Sequence, residues 1–302
     1  MVFSKESWTS LTCLILYLGA FVNSFTTLSP TSRTQSSLLP SQANDDDHFM
    51  ASSSFLSHVM LKVPSVDKTI KYWKEKGGRI RIAKEKPGTS NGEAELSSAF
   101  LELGCNQPED GVAESPVCFA LELVATDKEN YSVGNTISYI GVSMLLQFQN
   151  NLLGAITGDK PEAQGDEPNG IPVQSAASAP GDFLARFSLK SKDLTSTYNF
   201  YTSVLGMEAK AQDEKMVCLR YDNDCFPNGV PTTLVFDITE EEIYMGDCFD
   251  HLAITTKTSI DEIYRQCQNS GSKIFMNPTD MFGKKVMGLI DPNGYKVVIA
   301  SS

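Results

Sequence analysis

One unit recurs along this chain, and any fold assigned to it has to be built by repetition. The first copy reads His58-Val59-Met60-Leu61-Lys62-Val63 and then Val66-Asp67-Lys68-Thr69-Ile70-Lys71-Tyr72-Trp73, an alternating apolar strand entering an amphipathic helix. A second copy begins at Arg186-Phe187-Ser188-Leu189-Lys190 and passes through Lys192-Asp193-Leu194 to Tyr198 through Met207, with Gly206 placed to end the helix. A third opens at His251-Leu252-Ala253-Ile254 and runs through Ser259-Ile260-Asp261-Glu262-Ile263-Tyr264 to a glycine stop at Gly271. After the helices come short β-type runs between turn formers, such as Arg79 to Ile82, Ser98 to Leu103 and Cys118 to Val124, so the unit is strand, helix, three strands. Asp291-Pro292-Asn293-Gly294 is a turn that feeds a final strand, Tyr295 to Ala300. Two of the 3 histidines, His58 and His251, hold the same place in their copies.

This strand, helix, three-strand repeat resembles the vicinal oxygen chelate superfamily. Phe200-Tyr201 to Val204-Leu205-Gly206-Met207 and Asp291 to Lys296 resemble its glyoxalase I (lactoylglutathione lyase) branch. Tyr131-Ser132-Val133-Gly134-Asn135 to Tyr139-Ile140-Gly141-Val142 is similar to the junction between modules one and two of the long, two-domain plant and algal type. The likeness spans about residues 55 to 302. It implies an α+β fold of tandem βαβββ modules paired into two curled mixed sheets, the glyoxalase/bleomycin resistance/dioxygenase fold. Residues 55–156 would form a first domain with a truncated second module and 183–302 a second domain. Between them, 157–182, rich in Pro, Gly, Ala, Ser and acids, reads as linker without strands.

The resemblance also implies a site between modules one and four, with a His or Gln in the first strand of each partner and a Glu late in each. His58, Glu122 and His251 fall on three of those places, residue types that suit nickel, cobalt or zinc. The fourth falls on Val298, which can neither bind a metal nor carry a proton. In that branch the hemithioacetal of methylglyoxal and glutathione is isomerised through an enediolate, with a liganding Glu as base, so Glu122 is the remaining catalytic candidate. Lys62, Thr126 and Lys284 take the positions that face glutathione. The corresponding positions between modules two and three are Tyr139, Arg186 and Asp237, where an Arg–Asp ion pair in place of a cation is expected.

Other readings of the same residues stand beside this one. A His on a strand is more often a packed or hydrogen-bonded residue than a ligand, and His58, His251 and Val298 can equally wall a cavity for an organic ligand. Two His and one carboxylate are also the facial triad of non-haem iron oxygenases, some of which share the superfamily. His48 beside Asp45-Asp46-Asp47, and the run Thr239-Glu240-Glu241-Glu242, read as solvated acidic segments.

With a net charge of -12, 41% hydrophobic and 21% charged residues, the 302-residue chain argues against nucleic acid as a partner and for ordinary globular domains, and the resemblance implies a small-molecule substrate. It is expected to work as a monomer, with no membrane attachment in the mature form. Residues 1–24 carry Lys5 and an apolar run from Leu11 to Val22 of signal-peptide length. Residues 25–47 begin as a Ser/Thr-rich stretch without acids before Asp45, as in transit peptides. The order resembles the bipartite presequence of algae with plastids inside extra membranes, which predicts plastid delivery, with secretion as the alternative. The cysteines show no Cys-x-x-Cys pair; Cys118 and Cys218 fall in apolar strands, while Cys105 and Cys225 are loop thiols open to redox chemistry.

Overall fold

Strict apolar alternation in the repeated unit requires each first strand to bury one face and expose the other, and β1 (Ser54–Val63) does so: Val59, Leu61 and Val63 are buried while Met60 and Lys62 are not. The computed structural model describes residue 50 and residues 54–75, 79–85, 96–102, 119–143, 167–176, 184–221, 232–281 and 283–302. All lie in the compact unit Asp46–Ser302. The presequence readings (1–24 and 25–47), His48, Cys105, Cys118 and Cys225 fall outside the described residues.

In chain order, β1 is followed by α1 (Val66–Glu75), β2 (Arg79–Glu85), β3 (Leu96–Glu102) and β4 (Ala120–Ala125). Then come β5 (Ile137–Ser143), β6 (Val173–Ala176), β7 (Leu184–Ser191), and α2 (Leu194–Asn199), which continues as a π turn over Phe200–Val204. Strands β8 (Glu208–Gln212), β9 (Met216–Arg220) and β10 (Thr233–Ile238) complete module three. Module four holds β11 (Phe249–Thr256), α3 (Ile260–Asn269), β12 (Lys273–Met281), β13 (Lys284–Ile290) and β14 (Lys296–Ser301).

These strands form two mixed sheets. The first has eight strands in the order β12-β13-β14-β11-β1-β4-β3-β2, joining modules one and four; the second has six, β6-β5-β7-β10-β9-β8, joining two and three. Each module pairs its first and last strands in parallel, and modules meet along antiparallel first strands, β1 with β11 and β5 with β7. The segment expected to be strandless linker contributes β6, whose Val173 pairs with Ile140, and buries Ile171 and Glu167. β6 thus lies beside β5 as β4 lies beside β1, and the second sheet has two strands fewer than the first among the described residues.

Helices α1 and α3 cover the buried face of the first sheet with Val66, Ile70, Trp73, Ile260 and Ile263, in one cluster with Leu61, Leu121, Leu252 and Val297. Asp193 caps α2, accepting from Thr195 N and Ser196 N, which satisfies two otherwise unpaired donors and holds its carboxyl below the usual range, chiefly through the Ser196 hydroxyl. Gly271 (φ 71) ends α3, and Gly294 (φ 92) closes the Asp291 turn by donating to Asp291 O. The two connections between sheets cross at Gly134 and Gly246, where Asn135 N donates to Tyr244 O and Asp247 N to Ser132 O.

Candidate metal centre

The centre is built on the open face of the eight-stranded sheet by strand register. In β1–β4, His58 lies opposite Ala120 and Met60 opposite Glu122; because side chains alternate, His58 and Glu122 project from one face. Across β1–β11, His58 lies opposite Ala253 and Met60 opposite His251, which puts the second imidazole on that face too. His58 Nε2 is 3.2 Å from Glu122 Oε2, the two imidazole centroids are 5.8 Å apart, and one ligand atom from each of His58, Glu122 and His251 falls within 4.8 Å of the others. Phe100 of β3 flanks His58 edge-on at 5.4 Å.

Two imidazole nitrogens and a carboxylate oxygen are the donor set of a borderline divalent ion. Ligands at about 2.0–2.2 Å from one ion lie at most about 4.4 Å apart, so small side-chain adjustments bring all three onto a common centre. The residues present fit a metal.

Register also identifies the fourth place. In β11–β14, His251 lies opposite Lys296 and Ala253 opposite Val298, the same relation that His58, Ala120, Met60 and Glu122 have in module one. Val298 therefore stands where a second carboxylate would. On its other side it faces Gly288, above which the ring of Phe275 sits so closely that a Cβ on Gly288 would come within 2.4 Å of it. This wall is apolar.

Each histidine is preceded by the extra residue of a β-bulge. The β1–β11 register shifts between Leu56 and His58, leaving Ser57 without a partner, and again between Met60 and Leu61, leaving Asp250 without one. Ser57 Oγ lies 3.2 Å from His58 Nδ1 and donates to Ala253 O. Asp250 Oδ2 lies 2.9 Å from His251 Nδ1, while its Oδ1 accepts from Lys62 Nζ at 2.6 Å and lies 4.0 Å from Lys296 Nζ. The His251 hydrogen bond first, then Lys62 and Lys296, hold the Asp250 carboxyl far below the ordinary carboxylate range against the opposing effect of burial.

A cavity of about 500 Å³ adjoins this network, lined among others by Lys62, Thr126, Lys128, Asp247, Asp250 and Lys296. Two of the three residues expected to face glutathione, Lys62 and Thr126, are thus placed together. Lys284 is not with them: it is an exposed residue at the start of β13, level with the far end of β14, whereas Lys62 and Lys296 lie at the opposite end of the sheet. Lys62 is moreover engaged by Asp250, a residue the repeat pattern did not single out. Its signal was adjacency, since it precedes His251 as Ser57 precedes His58.

In the second sheet, Tyr139, Arg186 and Asp237 share one face, but the expected Arg–Asp pair is absent among the described residues. Parallel register sets Arg186 against Thr233 and Asp237 against Lys190, four residues further along, and the Asp237 carboxylate accepts instead from Ser188 Oγ. Cys218 lies among them, its thiol pushed up by burial, which fits a packing role. Glu241 of the acidic run pairs with Lys190 at an exposed site.

No protein-family model matches the chain, and no curated protein matches it in sequence. Solved structures do. Glyoxalase I from Zea mays is 20% identical with a TM-score of 0.60, covering 82% of this chain and 92% of the maize protein. A variant of that enzyme carrying a Val-to-Glu substitution gives 21% and 0.62, covering 85% and 95%. A putative dioxygenase from Bacillus subtilis is 11% identical with a TM-score of 0.56, covering 83% and 86%. Likeness at these identities establishes the fold. The chain has the glyoxalase I-like fold of the vicinal oxygen chelate proteins, with two mixed sheets.

Proposed function

We propose that this protein binds one divalent metal, nickel, cobalt or zinc, through His58, Glu122 and His251 and isomerises the hemithioacetal of methylglyoxal and glutathione to lactoylglutathione. The convergence of those three side chains from three strands and two modules carries this reading. When bound, the ion would act as a Lewis acid that acidifies the carbon-bound proton of the substrate. Glu122 removes that proton from one carbon and returns it to the neighbouring one, while the hydroxyl proton passes from the first carbon's oxygen to the second's, so the reaction is a net isomerisation. With Val298 opposite, no second carboxylate shares the transfer, and Glu122 serves both carbons. The cavity beside Lys62, Thr126 and Lys296 offers cationic and hydroxyl groups to a carboxylate-bearing thiol. Because one chain supplies both halves of the centre, a monomer suffices. Residues 1–47 would direct delivery to the plastid.

Val298 favours a second reading in which the protein binds an organic ligand in this cavity, without metal and without turnover. One experiment separates them: hemithioacetal isomerisation by the purified protein, metal-stripped and then given nickel, cobalt or zinc. Metal-dependent turnover abolished in His58→Ala supports the isomerase. No turnover with any of these metals supports the binding protein, and oxygen consumption with iron(II) would redirect both toward oxygenase chemistry.

A further inference from the structure

The two halves of the metal centre are related by a local two-fold that the strand register makes explicit, and along it one carboxylate has changed place. His58 corresponds to His251, Ala120 to Lys296, Glu122 to Val298, and bulge residue Ser57 to bulge residue Asp250. Module one has its carboxylate at the ligand place and a neutral hydroxyl behind the imidazole. Module four has valine at the ligand place and a carboxylate behind the imidazole.

We propose that Asp250 is a positioning residue for His251 and supplies, from behind the ring, the negative charge that the ligand place lacks at Val298. This rests on the metal-centre reading above. An ionised carboxylate only accepts, so Oδ2 takes the Nδ1–H of His251 and leaves the Nε2 lone pair free for an ion. The bulge is what makes this possible: in regular alternation residue 250 would point away from the face that carries residue 251, and the extra residue re-aims it. Lys62 fixes the carboxylate from its other oxygen at 2.6 Å, so Asp250 is held for this task even though it is a single residue on a strand. At the related position, Ser57 directs its proton to Ala253 O and offers His58 only a neutral oxygen at 3.2 Å. Glu122 and Asp250 thus bring two carboxylates to the centre, one at a ligand place and one behind the His251 ring.

The test measures cobalt(II) affinity of the full-length protein by competition with a chromophoric chelator, together with the visible spectrum of the bound cobalt and thermal melting of the metal-free forms. Asp250→Asn is expected to weaken cobalt binding about 10–100-fold and to alter the cobalt spectrum, with metal-free melting close to that of the unmodified protein. Asp250→Glu should restore part of the affinity, and Val298→Glu added to Asp250→Asn should restore most of it by returning the charge to the ligand place. Unchanged affinity and spectrum in Asp250→Asn would overturn the proposal while leaving the metal centre standing. Failure of the unmodified protein to bind cobalt would overturn the metal-centre reading itself. If Asp250→Asn melts early without metal, Ser57→Asp decides, because it installs the same carboxylate behind His58: tighter cobalt binding supports the role, and no tightening overturns it.

Discussion

The crossing of the two inter-sheet connections gives the sharpest stability prediction, Gly246→Ala. Gly246 has φ +59, and a Cβ there would lie 2.4 Å from Gly134 N, 2.6 Å from Gly134 Cα and 2.6 Å from Val133 C, all backbone atoms that no rotamer change can clear. Left-handed backbone costs a non-glycine residue about 1–2 kcal/mol. Forcing an added carbon into closed space costs typically about 1–3 kcal/mol more. The stiffer unfolded chain returns about 0.4–1 kcal/mol. The net loss is about 2–4 kcal/mol, a melting-temperature drop of roughly 5–15 °C for a unit of this size. Gly271→Ala is the control, since its φ is +71 but nothing lies within 4 Å of the added carbon, so it carries the conformational cost without the collision. Differential scanning calorimetry on metal-free protein should place Gly246→Ala well below Gly271→Ala. Equal melting temperatures would refute the close crossing as a structural constraint.

Further predictions test the core and the turns. Burial pushes the Asp291 carboxyl up to about 6 from 3.8, against hydrogen bonds from Tyr295 N, Asn293 and the Tyr201 hydroxyl. A raised acid stabilises the fold fully below its unfolded value and loses that contribution as pH rises through the folded value, about 3 kcal/mol across about pH 4 to 6. Asp291→Asn should flatten this slope in urea titrations at several pH values, and an unchanged slope would assign the pH dependence elsewhere. Trp73→Ala, which empties a site 1% exposed under α1, should cost about 3–5 kcal/mol by urea unfolding. Asn135 accepts from Tyr244 N and donates to Glu242 O across the same crossing, so Asn135→Ala should cost about 1–2 kcal/mol; a loss below a few tenths would mean water replaces both bonds.

Much of this architecture was legible because it is periodic. Alternation at His58–Val63 and His251–Ile254 marks the first strands, the 3.6-residue pattern marks α1 and α3, and Gly206, Gly271 and Gly294 mark the stops the structure uses. What escaped was set by partners rather than pattern. Strand β6 is Val-Gln-Ser-Ala among Pro, Gly and Ser, with no periodicity of its own; it is a strand because β5 offers it an edge. The π turn at Phe200–Val204 hides inside a helical pattern because one added residue barely disturbs the apolar spacing. His58, Glu122 and His251 lie far apart in sequence, so family resemblance rather than spacing suggested them, and three-dimensional register brought them together. Asp250 and Ser57 were missed because a bulge breaks the very alternation by which a strand is read, and only their adjacency to the histidines marks them.

The asymmetry of the centre has a consequence for whatever binds there. Glu122 and Phe100 flank His58 on the module-one side, while Val298 and the Phe275 ring over Gly288 form the module-four side, and the lysine-lined cavity lies toward one end of the sheet. The carboxylate at a ligand place therefore lies on the module-one side of the histidine pair, and valine with its apolar neighbours holds the related place on the module-four side. A small ligand with one apolar end, one oxygen-bearing centre and a carboxylate tail has a single orientation that satisfies all three surroundings. In a symmetric site with two carboxylates the same ligand would have two. Under the proposed function, valine at residue 298 leaves Glu122 as the one carboxylate at the ligand places, and so would fix which carbon of a bound molecule faces it.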